Sequence, residues 1–520
     1  MKRIFTLILV AGMVLGIFAG CGGKGKKTKD PGVLSVGYAK ADITPSMDYK
    51  LPLLGNNDES TRVATGVLEP LYATCTAMSD AEGNTVILFA MDLHGIYEVL
   101  LKAVRVAIEE KLGIEGKYVQ MTASHTHQAP PSSGMAEYPD SIPYFLEIVE
   151  KCAEAAKQAM EDRKPATMSL GHTRVPDLNT MRYCYLEDGT LLSGRRSEEQ
   201  AQYYGQAYHP DDLLQLVKFT REGGKDVVLI NWQGHYRGNP SGMYTLYSSD
   251  FMGVLRNELL NQANCESMVI MGAGGNSAHS SVYPGYNNKR NHTYETIGKT
   301  LAEAAVSTLQ GGMTVADTGR VTLEENPFHI QTNPQEYCLY TFGIGDVGFC
   351  MIPYEPFQSL GMALREESPF KMTLIGTVAN DYGGKFYLPD AAAYDSETST
   401  PGIKGYGLSV RYVKGDEALF HEQYIQMLNK CFKNGTTEKK EKAEGYITDT
   451  TYEDPTEYSN AKAGAPATAV KNGLYQISVV KDGQEKVLLV ASQALAEEMA
   501  NMTSFKVVMD NRDIVVGLQN

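Results

Sequence analysis

Tyr118-Val119-Gln120-Met121-Thr122-Ala123-Ser124-His125-Thr126-His127 is the stretch from which both the fold and the chemistry are read. Its first six residues read as a strand. Gln128-Ala129-Pro130-Pro131-Ser132 then opens a loop. Upstream, Glu98 to Leu112 has the spacing of an amphipathic helix stopped by Gly113. Downstream, Ser141 to Glu161 reads as a long helix, capped by Asp140 or Ser141 and with Pro143 in its first turn. In an extended chain, side chains two apart point the same way. His125 and His127 are therefore expected to face one pocket at the strand's end, where a metal site can be built. A helix would splay the same pair apart.

Working outward, the alternation of strand and helix continues. Leu71 to Met78 and Thr85 to Met91 read as strands around the turn Ser79-Asp80-Ala81-Glu82-Gly83-Asn84. Leu214 to Phe219 and Val227 to Trp232 form a hairpin that delivers His235. Helices near 251–261 and 294–309 flank a strand at Ser267 to Met271. Strands at Val347 to Ile352 and Met372 to Val378 follow, then a helix near 417–432. The expected fold class is α/β, with mixed sheets covered by helices. Residues 34–435 form the large catalytic domain, 436–466 a polar linker, and 467–520 a small β-rich C-terminal module.

The first twenty residues differ from the rest. Lys2 and Arg3 precede an apolar run from Ile4 to Ala19, and Phe18-Ala19-Gly20-Cys21 ends it. This is the pattern of an export signal over residues 1–20, with Cys21 at the cleavage point as in a bacterial lipobox. The mature chain is expected to begin at a lipidated Cys21 and to hang from the outer face of a bacterial membrane. Residues 21–33, rich in Gly and Lys, serve as a flexible tether. The chain as a whole is 43% hydrophobic and 21% charged, ordinary globular values. Its net charge of −15 argues against a nucleic-acid partner, which calls for a basic surface. Beyond Cys21 the cysteines stand at 75, 152, 184, 265, 338, 350 and 431 with no Cys-x-x-Cys. They are expected to be buried and reduced.

Several short segments resemble one family in the family's own order. Val36-Gly37-Tyr38-Ala39-Lys40-Ala41-Asp42-Ile43-Thr44-Pro45 resembles the opening strand and turn of the neutral, non-lysosomal ceramidases and their bacterial relatives. Ser124-His125-Thr126-His127 falls at that family's Thr-His-Thr-His segment. Asn231-Trp232-Gln233-Gly234-His235, Ser248-Ser249-Asp250 and Ile352-Pro353-Tyr354-Glu355 resemble later ones. So do Asn380-Asp381-Tyr382, Tyr387-Leu388-Pro389 and Tyr394. The resemblance spans residues 35 to 432. It implies one zinc ion per chain, held by His125, His235, Glu355 and Tyr394. It further implies His127 as the acid-base group, Tyr406 and Arg182 as oxyanion donors, and Ser277 as a catalytic serine. The loop around that serine departs from the family, reading Gly274-Gly275-Asn276-Ser277-Ala278-His279.

The donor set suits the metal, because zinc takes nitrogen and oxygen ligands and a hydrolytic site keeps a place for water. The expected activity is hydrolysis of an amide, N-acylsphingosine or a related N-acyl substrate. Two other functions fit parts of the sequence. A surface lipoprotein could keep the fold and bind a lipid or glycan without catalysis. An amidohydrolase-type metal enzyme also opens its site with His-x-His, but it needs further His and Asp ligands in place of Glu355 and Tyr394.

Overall fold

The structure is a computed structural model. It describes residues 33–55, 62–132, 140–176, 178–181, 183–186, 191–193, 203–206, 211–235, 245–278, 292–330, 333–382, 386–390, 393, 412–435, 441–442, 452–461, 464–469, 475–481, 483–490, 493–509 and 515–519. Cys21, Arg182, Tyr394 and Tyr406 lie outside the described residues, as do the export signal and most of the tether.

Alternation along the strands builds two cores at once. On Thr85–Met91, Ile87, Phe89 and Met91 pack beneath helices, while Val86, Leu88 and Ala90 face a second sheet. The same division recurs on Val347–Met351, where Val347, Phe349 and Met351 point inward and Cys350 points to the other side. A strand covered on both faces reads as a continuous apolar run. The result is four layers. Helices Glu98–Leu112, Ser141–Glu161, Asp250–Ala263 and Tyr294–Gly311 cover a nine-stranded mixed sheet. A four-stranded sheet of Val321–Ile330, Asn333–Ile344, Val347–Met351 and Met372–Gly376 packs behind it. Helices Gln358–Glu367 and Asp416–Gly435 close the far side.

The nine-stranded sheet places the site. Each end of it carries a parallel pair. Thr85–Met91 runs beside Val119–Ala123, and Val227–Trp232 beside Glu266–Met271. The two outermost strands, Val119–Ala123 and Glu266–Met271, curl towards each other. The segment after Met372–Gly376 bridges them. Thr377 N donates to Met271 O at 3.0 Å, Thr122 Oγ1 donates to Thr377 O at 2.8 Å, and Asn380 N donates to Met121 O at 2.9 Å. Val378 and Asn380 take left-handed φ values of 44° and 50° in making that bridge. For β-branched Val378 this is a strained conformation. The carboxyl ends of four strands thus meet at one point, the place where open α/β sheets carry their ligands.

Three expectations change. Asp140 does not cap its helix through its side chain, and its Oδ2 accepts from Lys50 N at 2.8 Å. A strand, Tyr452–Asn460, occupies part of the expected linker and pairs with Ser504–Met509 and Tyr475–Lys481. The β-rich module therefore starts before residue 467. The pleat also stops at Ala123, short of the histidine pair. Among the described side chains, Cys75, Cys152, Cys265, Cys350 and Cys431 are buried free thiols as expected, while Cys338 is only half-buried. Among the described residues no helix is long and apolar enough to cross a membrane.

Candidate metal centre

His125 reaches the site by a turn. Its φ is 59°, in the left-handed region that a non-glycine residue enters at a cost. The extended-chain reason for a shared face therefore fails, yet the pocket is shared. The His125 and His127 rings lie 4.9 Å apart and nearly perpendicular, at 88°. Their Nε2 atoms are 3.3 Å apart. Gly55, at φ +92°, presses against the His127 ring, where an added Cβ would stand 2.3 Å from Cγ. Arg62 Nη2 donates to the His127 carbonyl at 3.0 Å and fixes the turn from outside.

The tautomer of His125 follows from its neighbour. Its Nδ1 lies 2.6 Å from the His94 carbonyl oxygen, which can only accept, so Nδ1 carries the proton. Nε2 then faces outward with the lone pair that can bind a metal. His235 repeats the arrangement, with Nδ1 3.3 Å from the Gly274 carbonyl. Such backbone contacts on the far nitrogen orient histidines that bind metals. The His125 and His235 ring centroids are 4.8 Å apart.

Glu355 completes the group from the short strand Glu355–Pro356, which pairs with Tyr387–Leu388 just beyond the four-stranded sheet. Its Oε1 accepts from the Tyr382 hydroxyl at 2.6 Å, which leaves Oε2 turned 3.1 Å from His125 Nε2. That buried Oε2 has no aligned hydrogen bond. One donor atom each from His125, His235 and Glu355 lie within 4.8 Å of one another, and all three residues are buried. Two neutral imidazoles and one carboxylate with an unsatisfied oxygen fit a zinc-like ion.

The electrostatics without metal reflect the same convergence. Burial alone would push the Glu355 carboxyl up. The His125 and His235 imidazoles, with the hydrogen bond from Tyr382, overcome it and hold the group far below the usual carboxylate range. Burial opposes charge on His125, but the Glu355 carboxylate outweighs it and raises the imidazole pKa. His127 goes the other way. Burial first, then the His125, His94 and His235 rings and Arg62, hold it well below the ordinary value. Burial also pushes the Tyr382 hydroxyl well above its usual range, with Glu355 adding to the effect, so it stays a donor.

The structure therefore brings His125, His127, His235 and Glu355 together. Ser277 sits behind them. Its hydroxyl accepts from His235 N at 3.1 Å and lies 2.9 Å from Gly274 O and 3.2 Å from Gln233 O. With these hydrogen bonds on backbone groups, it fixes His235 from behind. The loop holding it also carries Gly275, where a Cβ would stand 2.5 Å from the Glu355 carbonyl oxygen. Gly275 N donates to Pro356 O at 2.9 Å, so this loop seats both His235 and the Glu355 segment.

Two residues of the cluster were not singled out from the sequence. His94 follows the Thr85–Met91 strand, and its ring lies 4.6 Å from His125 and 5.0 Å from His127. Tyr382, which orients Glu355, had been noted only as part of a motif. For His94 a signal existed. A histidine three residues past the end of a strand, beside a parallel strand that ends in His-x-His, shares that strand's end of the sheet.

No family model and no curated protein matches the chain. Among solved structures it is similar to a neutral ceramidase from Pseudomonas aeruginosa, at 12% identity and a TM-score of 0.59. That match covers 92% of this chain and 98% of the other. A structure described as a ceramidase complexed with C2 matches at 13% identity and the same TM-score, covering 92% and 90%. Over nearly all its length, then, this chain shares the fold of these ceramidases.

Proposed function

We propose that the chain is a zinc-dependent hydrolase that cleaves the amide bond of N-acylsphingosine or a related N-acyl lipid, giving a fatty acid and an amine. The convergence of His125, His235 and Glu355 at the carboxyl ends of the strands carries the reading. The shared fold with ceramidases supports the choice of substrate class. Zinc, when bound, acidifies a water molecule and polarises the acyl carbonyl. The rest falls to the chain.

His125, His235 and Glu355 hold the ion, with Tyr394 as the expected fourth ligand. Gly274 O and His94 O keep both ligating imidazoles in the tautomer that presents Nε2, and Tyr382 aims the carboxylate. His127 is neutral and adjacent, so it can take a proton from water and deliver it to the departing nitrogen. That delivery matters because an amide anion is a very poor leaving group. Tyr406 and Arg182 are assigned to the oxyanion, where donors contribute most to such reactions. Ser277 is a positioning residue for His235. The enzyme works at the outer face of a bacterial membrane, tethered by lipid on Cys21, close to lipid amides.

The test is a hydrolysis screen of the full chain against N-acyl sphingosines, N-acyl amino acids and simple esters, with and without a chelator. Amide turnover that the chelator abolishes and zinc restores is the expected result. Absence of amide hydrolysis across the panel with zinc present would overturn the reading.

A further inference from the structure

Besides the seat just described, a second set of nitrogens converges on the same point. One donor atom each from His94, His125 and His127 also lie within 4.8 Å of one another. His125 belongs to both sets but cannot serve both. Its Nδ1 is committed to the His94 carbonyl, so a single lone pair remains on Nε2. If His125 holds the ion shared with His235 and Glu355, the protein donors left over are His94 and His127. Their rings are 5.0 Å apart and tilted by 56°, and they stand on two adjacent parallel strand ends. His94 Nδ1 is buried without a hydrogen-bond partner, although a buried polar nitrogen is normally satisfied. Nothing in the hydrolysis described above uses the His94 side chain.

We propose that His94 and His127 form a second, weaker site for a zinc-like divalent ion beside the first, completed by water, and that an ion bound there silences the enzyme by occupying His127. Imidazole donors select ions of the zinc, copper and nickel type over magnesium or calcium. Neighbouring ions roughly 3.5–4 Å apart are common in two-metal sites. Charge explains why the second is the weaker. Glu355 is the one carboxylate in the combined donor sets, so a second dication meets the first with little neutralisation. The silencing part rests on the proposed role of His127 in proton transfer. The binding part does not.

The experiment uses the full chain loaded with one zinc. It is dialysed against rising free zinc, and bound metal and amide turnover are measured on the same samples. A second ion should enter reversibly while the first is retained, and turnover should fall with the same midpoint. His94→Ala should keep the first ion and move both midpoints upward by at least about tenfold. His94→Gln, closer in size, repeats the test, and retention of the first ion shows in either variant that the fold is intact. His127→Ala should likewise keep the first ion and lose the second. No second ion up to millimolar zinc, or an unchanged midpoint in both His94 variants, overturns the site. A second ion that depends on His94 but leaves turnover untouched overturns the silencing. If no amide is cleaved at all, the proposed function fails, and the stoichiometry alone still decides the site.

Discussion

In the proposed centre His127 stands next to a ligand without being one, which separates two roles that the sequence places side by side. Replacing it with Ala should leave the tight zinc bound and cut amide turnover by roughly 10²–10⁴, mainly in kcat. Activated esters, whose leaving groups need no proton, should lose less. Equal losses on both substrates, or loss of the tight ion, would remove His127 from proton transfer. The same cluster sets how the metal-free chain responds to pH. Burial and neighbouring imidazoles keep His127 well below the ordinary value of 6.5 and push His94 down to about 3. Below about pH 6.5 the unfolded chain binds protons at both positions that the folded chain refuses, so stability falls on acidification. His125 acts oppositely. Its raised pKa gives stability that is complete below 6.5 and lost as pH rises through the folded value. Glu355, held low, loses its contribution only in strong acid. In the metal-free protein His94 and His127 should therefore each cost about 1 kcal/mol between pH 6.5 and 5.5, while Glu69, whose carboxyl is raised to about 7 by burial, offsets part of that loss. His94→Gln should remove one such share, and a pH dependence of the thermal unfolding midpoint left unchanged by that substitution would contradict this.

At the scale of elements, the centre depends on a bridge between two sheets. Asn380 ties the 377–380 segment to Val119–Ala123 by accepting from Met121 N at 3.1 Å and donating to Gln120 Oε1 at 2.9 Å. Asparagine also tolerates its left-handed φ better than most residues. Asn380→Ala would orphan a buried amide three residues before Ser124 and should cost about 1–3 kcal/mol in chemical denaturation. A loss below about 0.5 kcal/mol would show that the bridge is not the fastening it looks. A buried ion pair does similar work one strand over. Asp92 accepts from Tyr72 N at 2.8 Å and from Arg256 Nη1 at 3.0 Å, which pins the turn that carries His94. Strands and helices with strong periodicity, such as Thr85–Met91 and Glu98–Leu112 with its left-handed Gly113 cap, were legible from the sequence. The hairpin of Val321–Ile330 and Asn333–Ile344 was not anticipated. Its first strand carries Glu324, Glu325, Asn326, Pro327 and His329, and that polar run hides the alternation.

For the whole molecule, the four layers explain how donors far apart in sequence meet. His125 and His235 come from opposite ends of the nine-stranded sheet, while Glu355 comes from the short Glu355–Pro356 ladder that follows Val347–Met351 of the sheet behind it. Placement of the whole protein in the cell is a separate matter, resting on the N-terminal residues. Replacing Cys21 with Ser should release the chain from the membrane fraction of the producing cells. Unchanged membrane association would mean that lipid at this position is not the anchor.

The sequence alone determined the α/β class, the five longest described helices and the strands that lead into the site, and it singled out His125, His127, His235 and Glu355 as residues to be found together. Periodicity and side-chain type are local properties and can be read residue by residue. Only the tertiary structure decided that His125 enters through a left-handed turn, that Ser277 is spent on backbone, and that His94 stands beside the pair. Those facts depend on which strand ends are neighbours and on how far the sheet curls. Contacts between residues more than a hundred positions apart set both, and no local pattern encodes them.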